Sequence, residues 1–182
     1  MKDITDRSTR LGDQEVAVFR YDWKAGEAQP YRKTYNLLPG QSWWEAETTD
    51  KQFEHYALDD DGTQIPVGAL IARQLVKEGA SFAVFTEMWA GKFVMVNHEL
   101  HCVSPTNQAE KVLAKIKAGN DNKLGGFPDV FAIHPNGMLS FREAKSIKAK
   151  DKLGPKQHEF ANLLRSLFGE KLDLGVVEWD LP

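Results

Sequence analysis

Residues 126–145 read GFPDVFAIHPNGMLSFREAK, and the fold is decided by how this stretch is read. VFAI and MLSFREAK are short, apolar-rich runs that read as strands, and HPNG between them reads as a tight turn. Pro135 suits the second position of a type I turn, and Gly137 supplies the left-handed residue that closes a three-residue hairpin loop. A loop over 135–137 sets His134 opposite Met138 and, further along the ladder, Asp129 opposite Glu143. Directly opposed side chains leave the same face with Cβ atoms about 4.5–5.5 Å apart. Lys145 lies two residues beyond Glu143 and shares that face.

Two carboxylates placed this way repel, so a sheet gains no stability from them, and at close range one tends to stay protonated. A hard divalent cation removes the conflict, because Mg²⁺ prefers oxygen ligands. A lysine beside it can stabilise developing charge or position a water. The plainer reading is an exposed strand face on which Lys145 neutralises Glu143. The next segment favours the chemical reading. Gly154-Pro155 starts a helix whose apolar face is Phe160, Leu163, Leu164 and Leu167, and Gln157 lies on that face. A buried amide must find partners, and a metal or an attacking water supplies them. Lys148, Lys150, Lys152 and Lys156 around this helix start place positive charge near a bound phosphate.

The string Gly-Phe-Pro-Asp at 126–129, then Glu-Ala-Lys at 143–145, then Gln157 resembles the VRR-NUC branch of the PD-(D/E)xK nuclease superfamily. Its pattern is G-x-P-D, a strand carrying (D/E)-x-K, a helix with an inward glutamine, and a final strand. The resemblance covers residues 125–180. It implies an α/β (α+β) fold with a restriction-endonuclease-like αβββαβ core on a mixed sheet. It implies a Mg²⁺- or Mn²⁺-dependent nuclease that hydrolyses phosphodiester bonds in DNA, including branched or flapped structures, and that forms a homodimer in several members. By resemblance Asp129 and Glu143 are metal ligands, Lys145 contacts the scissile phosphate or the nucleophilic water, and Gln157 is the motif glutamine. Family members usually carry a further Glu on the first core helix, and two assignments stay open here. If the helix containing Glu110 is that helix, Glu110 is the third metal ligand, but the strand that should follow it is missing. If a helix over 66–79 and a strand over 81–88 begin the core, the order of elements works, residues 92–124 are an insertion, and Glu87 is the fallback acid.

Outward from the motif, the same signals give an organisation. Residues 1–14 are polar and are expected to fray. Residues 1–62 read as an irregular, β-rich extension of unknown role, with Trp43 and Trp44 as packing residues, and residues 63–182 read as the nuclease domain. Pro66 opens a helix with Leu70, Ile71, Leu75 and Val76 apolar and Gly79 at its end. SFAVFTEMW and KFVMVNH form a hairpin around Ala90-Gly91. Ser104-Pro105 reads as N-cap and first residue of a helix with Ala109, Val112, Leu113 and Ile116 on one face.

Composition narrows the function classes. Hydrophobic residues are 42% and charged residues 27% of the 182, a globular balance that excludes a disordered or fibrous chain. No apolar run approaches the roughly 20 residues that span a bilayer, so no membrane is expected. The polar start lacks the apolar core of a secretory signal. Cys102 is the only cysteine, which excludes an internal disulfide framework and a cysteine zinc cluster and favours a cytoplasmic, reducing compartment. The net charge of −3 argues against a generic nucleic-acid binder, but it is unevenly spread. Residues 142–171 hold eight bases against four acids, a footprint for a polyanion. Asp59 to Gly62 reads as an exposed turn without calcium-loop spacing. His98, His101 and His134 offer a histidine-based hydrolase as a rival, but HELH at 98–101 lacks the i, i+4 spacing of a zinc protease helix. The alternative to an enzyme is a non-catalytic nucleic-acid- or protein-binding module that keeps the nuclease fold.

Overall fold

The computed structural model describes residues 7–24, 26, 29–33, 47–53, 56–59, 61–89 and 92–180. Trp43, Trp44, Asp60 and the Ala90-Gly91 turn lie outside the described residues. The fold is mixed α/β, with a seven-stranded mixed sheet and three α-helices among the described residues. In chain order the sheet strands are β1 (Arg7–Leu11), β2 (Gln14–Arg20), β7 (Phe82–Trp89), β8 (Lys92–Asn97), β9 (Val130–Ile133), β10 (Leu139–Ser146) and β11 (Leu172–Trp179). Two small ribbons, β3 (Gln29–Lys33) with β4 (Glu47–Phe53) and β5 (Tyr56–Leu58) with β6 (Gln64–Pro66), stand apart from it. The helices are α1 (Val67–Lys77), α2 (Asn107–Gly119) and α3 (Pro155–Phe168).

The sheet order is β1-β2-β11-β10-β9-β7-β8. β7, β9 and β10 run as an antiparallel meander, and β11 returns parallel to β10 after α3. The hairpin has the register that its loop dictates. Leu139 faces Ile133 and Arg142 faces Val130, and the His134 N–H donates to the Met138 carbonyl (2.9 Å) with Gly137 at φ 81°. β8 and α2 fall between β7 and β9 in the chain, so β7, not the segment after α2, is the strand beside β9.

Alternation along each strand divides the core in two. Ala83, Phe85, Val130, Ala132 and Val177 face α1, which buries Val67, Leu70, Ile71 and Leu75 against them. Val84, Phe131, Ile133, Phe141, Leu174 and Val176 face α2 and α3, which contribute Val112, Leu113, Ile116, Phe160 and Leu164. Helices thus cover both faces of the sheet, so its central strands read as almost unbroken apolar runs.

The structure corrects three expectations. β1 and β2 extend the main sheet, since β2 pairs in parallel with β11 from Ala17↔Gly175 to Arg20↔Glu178. The stretch expected to fray contains β1, and strands from before and after residue 62 share one sheet. α2 is capped two residues later than Ser104-Pro105 implies: the Thr106 hydroxyl accepts from the Ala109 N–H (3.2 Å), which satisfies a free donor of the first turn.

The GFPD loop is held at each residue. Gly126 has φ +87°, and a Cβ there would lie 2.8 Å from the Lys156 carbonyl oxygen, so only glycine lets the start of α3 come this close. Phe127 packs edge-on against Phe93, Phe141 and Phe160 at centroid distances of 5.0, 5.6 and 5.5 Å. The Pro128 carbonyl accepts from the Thr86 hydroxyl (2.7 Å), and the Asp129 carbonyl accepts from the Thr86 N–H (2.8 Å). Gly126→Ala should therefore cost about 1–3 kcal/mol from strain and the clash together. Gly125→Ala, which meets nothing within 4 Å, should be nearly silent. Urea denaturation of both variants checks this, and equal midpoints would contradict the close approach.

Candidate active site

The acid pair is assembled by the hairpin register. The β9–β10 ladder runs as far as Val130↔Arg142, and one step further Asp129 comes opposite Glu143. The Asp129 carboxylate turns to accept the Ala144 N–H at 2.7 Å. Glu143 is only 2% exposed. Burial pushes its carboxyl well above the ordinary carboxylate range, the neighbouring Asp129 charge and hydrogen bond push it further, Lys145 opposes, and Asp151 adds a smaller upward push.

Gln157 reaches this pair from α3. Its Oε1 accepts the Gly154 N–H (2.8 Å) and its Nε2 donates to Glu143 Oε2 (2.8 Å). The first bond caps the helix start. It also fixes which end of the amide faces inward, because an N–H can only be met by the oxygen. One side chain thus terminates the helix and holds the buried carboxyl.

Lys145 is 8% exposed, and its ammonium lies 3.4 Å from Asp151 Oδ2. Asp151 was not legible as a site residue. It reaches Lys145 because the chain after β10 turns back: Lys150 sits at φ 54° and the Asp151 N–H donates to the Ser146 carbonyl (3.1 Å). A cavity of about 260 Å³ opens beside these groups, lined by Pro66, Val67, Gly68, Phe85, Thr86, Glu87, Asp129, Ala144, Lys145 and Asp151. Gly68 lets α1 press onto β7, since a Cβ there would meet Phe85 Cβ at 2.6 Å.

Asp129, Glu143, Lys145 and Gln157 are therefore brought together, and Glu87 on β7 lines the same cavity. Glu110 is not: it lies exposed in the first turn of α2, on the other side of the sheet from α1, and does not line the cavity. Among the described residues no group of three or more His, Cys, Asp and Glu side chains is placed to hold a metal. The donor set is instead the Asp129–Glu143 carboxylate pair, of which Asp129 lines the cavity together with Glu87 and Asp151. It fits a hard cation that keeps several of its waters, as Mg²⁺ does with one or two carboxylates.

The basic residues of the connection take different positions. Lys150, Lys152 and Lys156 are exposed, while Lys148 pairs with Asp180 (3.0 Å). The histidine rival finds little support in the geometry. Asn97 Oδ1 accepts the N–H groups of Glu99 (3.1 Å) and His101 (2.9 Å), so HELH is a side-chain-capped turn. His134 bonds Ser140 (2.8 Å) at the far end of β10. Cys102 is buried, and burial pushes its thiol up to about 11, which leaves almost no thiolate at neutral pH. The DDDG turn is also closed on itself, with Asp59 Oδ1 accepting the N–H groups of Asp61 (3.0 Å) and Thr63 (2.8 Å) and Oδ2 paired with Arg73 (3.3 Å).

Comparison with protein-family models, with curated proteins and with solved structures finds no match to this chain.

The raised Glu143 carboxyl carries a stability consequence. A folded-state pKa above the unfolded one favours the protonated form in the fold. The penalty is thus absent below the unfolded value of about 4.3 and grows as pH rises toward the folded value. Glu143→Gln removes the charge, keeps an acceptor for Gln157 and offers Asp129 a donor. Without added divalent cation it should raise the melting temperature by a few degrees at neutral pH and leave it unchanged near pH 4. Thermal melts across pH check this, and a variant less stable at neutral pH would contradict the burial penalty.

Proposed function

We propose that this chain is a metal-dependent nuclease of the PD-(D/E)xK type that hydrolyses phosphodiester bonds in DNA, branched or flapped structures included. The observation that carries the reading is the convergence on Glu143: a carboxyl 2% exposed, with Asp129 beside it, Gln157 bonded to it, and Lys145 on the same face. A fold gains nothing from such a pair unless a cation or a reaction uses it. The order α1, β7, β9, β10, α3, β11 follows the αβββαβ plan of that superfamily, with β8 and α2 inserted between the first two core strands. Glu87, on β7, takes the place of the helix-borne third acid as the further carboxylate at the cavity.

Asp129 and Glu143 would hold a hard divalent cation, which would supply Lewis acidity and lower the pKa of a water bound to it. The chain's own groups do the rest. The Ala144 N–H fixes Asp129, and Gln157 fixes Glu143, so neither carboxylate has to be ordered when substrate arrives. Lys145 exchanges its 3.4 Å contact with Asp151 for the phosphate, where charge grows as the bond breaks. Its near-complete burial strengthens that interaction over the same contact in water. Exposed Lys150, Lys152 and Lys156 track the phosphate backbone.

The test is cleavage of labelled linear, flapped and four-way DNA. Activity is expected with Mg²⁺ or Mn²⁺, little with Ca²⁺ and none with a chelator. Lys145→Ala should lose about 10²-fold or more in rate while its affinity for DNA stays close to that of the unaltered chain. Full activity in excess chelator, or a Lys145→Ala variant that cleaves normally, would overturn the assignment. Tight DNA binding by the unaltered chain with no cleavage in any metal would make it a non-catalytic binding module.

A further inference from the structure

The basic turn after β10 is the obvious polyanion contact, yet one of its lysines is neutralised by Asp180. A second cationic group lies on the sheet itself, contributed from more than 100 residues upstream in the chain. In register, Lys145 on β10 faces Glu178 on β11, and Glu178 faces Arg20 on β2. Paired residues of adjacent strands leave the same face, so Lys145, Glu178 and Arg20 form a row across the end of the sheet. The row spans two strand spacings, about 10 Å, or roughly three nucleotide rises along one DNA strand. Arg7, on β1, joins it. Arg20 Nε donates to Glu178 Oε2 at 2.7 Å, and Arg7 Nη1 donates to the same oxygen at 3.4 Å.

We infer that Arg7 and Arg20, gathered on Glu178, form a phosphate-binding fork for the nucleic-acid strand leading away from the Lys145 cavity. The inference rests on the nuclease reading. Two guanidiniums against one carboxylate leave the group net positive. The side chains of Arg7 and Arg20 are 55% and 26% exposed, against 17% for Glu178, so the cations face outward and the anion lies beneath them. Each guanidinium carries five N–H donors in a plane, and Glu178 takes one from each arginine. Donors remain for the bidentate contact that suits a phosphate. The Arg7–Glu178 pair is exposed, and exposed ion pairs contribute little to stability, so fold stability alone does not account for the second arginine on this carboxylate. Glu178 holds both long side chains in place before the strand arrives.

The experiment measures affinity for a flapped duplex by fluorescence anisotropy in Ca²⁺ over a salt series, with cleavage then followed in Mg²⁺ at saturating DNA. Replacing both Arg7 and Arg20 with Ala should weaken binding and flatten the log–log salt dependence by up to about 1.8, about 0.9 for each phosphate left without its arginine. Arg7→Ala alone removes a mostly exposed side chain and cannot threaten folding, and it should flatten the slope by about 0.9. Lys171→Ala, an exposed cation before the opposite end of β11, should leave affinity and slope unaltered. If the folded variants bind with the original affinity and slope while the unaltered chain binds and cleaves DNA, the fork is wrong and the nuclease reading stands. An equal loss in Lys171→Ala would reduce the effect to bulk charge and overturn the local assignment. An unaltered chain that binds no DNA would overturn both readings.

Discussion

A carboxyl group buried where its charge is unwelcome organises this molecule. Glu143 stands at 2% exposure between Asp129, which repels its ionised form, and Gln157, which gives it one hydrogen bond. Every segment around it is arranged to keep it there. β10 carries it, the β9–β10 turn brings Asp129 opposite, α3 delivers the glutamine, and Lys145 offers the nearest positive charge. The buried pair costs the fold stability while no cation neutralises it, which is the ground for proposing it as a cation site.

The GFPD loop transmits this constraint to the rest of the fold. Gly126 lets the first turn of α3 approach to within van der Waals distance, Phe127 enters the aromatic cluster beneath α3, and Thr86 on β7 bonds the backbone on either side of the Pro128–Asp129 link. The loop therefore ties together the strand bearing Glu87, the strand bearing Glu143 and the helix bearing Gln157. Tips of distant segments add to the clamp. The Gly12 N–H donates to His158 Nδ1 (2.9 Å) and the Asp13 N–H to Asn162 Oδ1 (2.7 Å), which docks the β1–β2 turn on the turn of α3 that follows Gln157.

What the sequence made legible was local. Pro135 and Gly137 determine a loop length, the loop length determines a register, and the register alone places Asp129 against Glu143. The inward Gln157 followed from helical spacing for the same reason. The remaining parts depend on contacts between segments far apart in the chain, which leave no periodic trace. Asp151 meets Lys145 only because Lys150 adopts a left-handed conformation. Glu110 shares its helix with a sound apolar face yet points outward, because α2 covers the sheet face away from α1 and the cavity. Strands β1 and β2 looked like an appendage because parallel pairing with β11 joins residues more than 150 apart. That same pairing brings Arg20, and with it Arg7, to Glu178, a contact no local pattern announces.

The central claim is that the Asp129–Glu143 pair is a cation site, and calorimetric titration of Mn²⁺ into the purified, chelator-stripped protein tests it most directly. A saturable binding event is expected in the unaltered chain, abolished or weakened by at least 10-fold in Glu143→Gln and in Asp129→Asn, and retained in Lys171→Ala. Absence of binding in the unaltered chain, or undiminished binding in both carboxylate variants, would contradict the account.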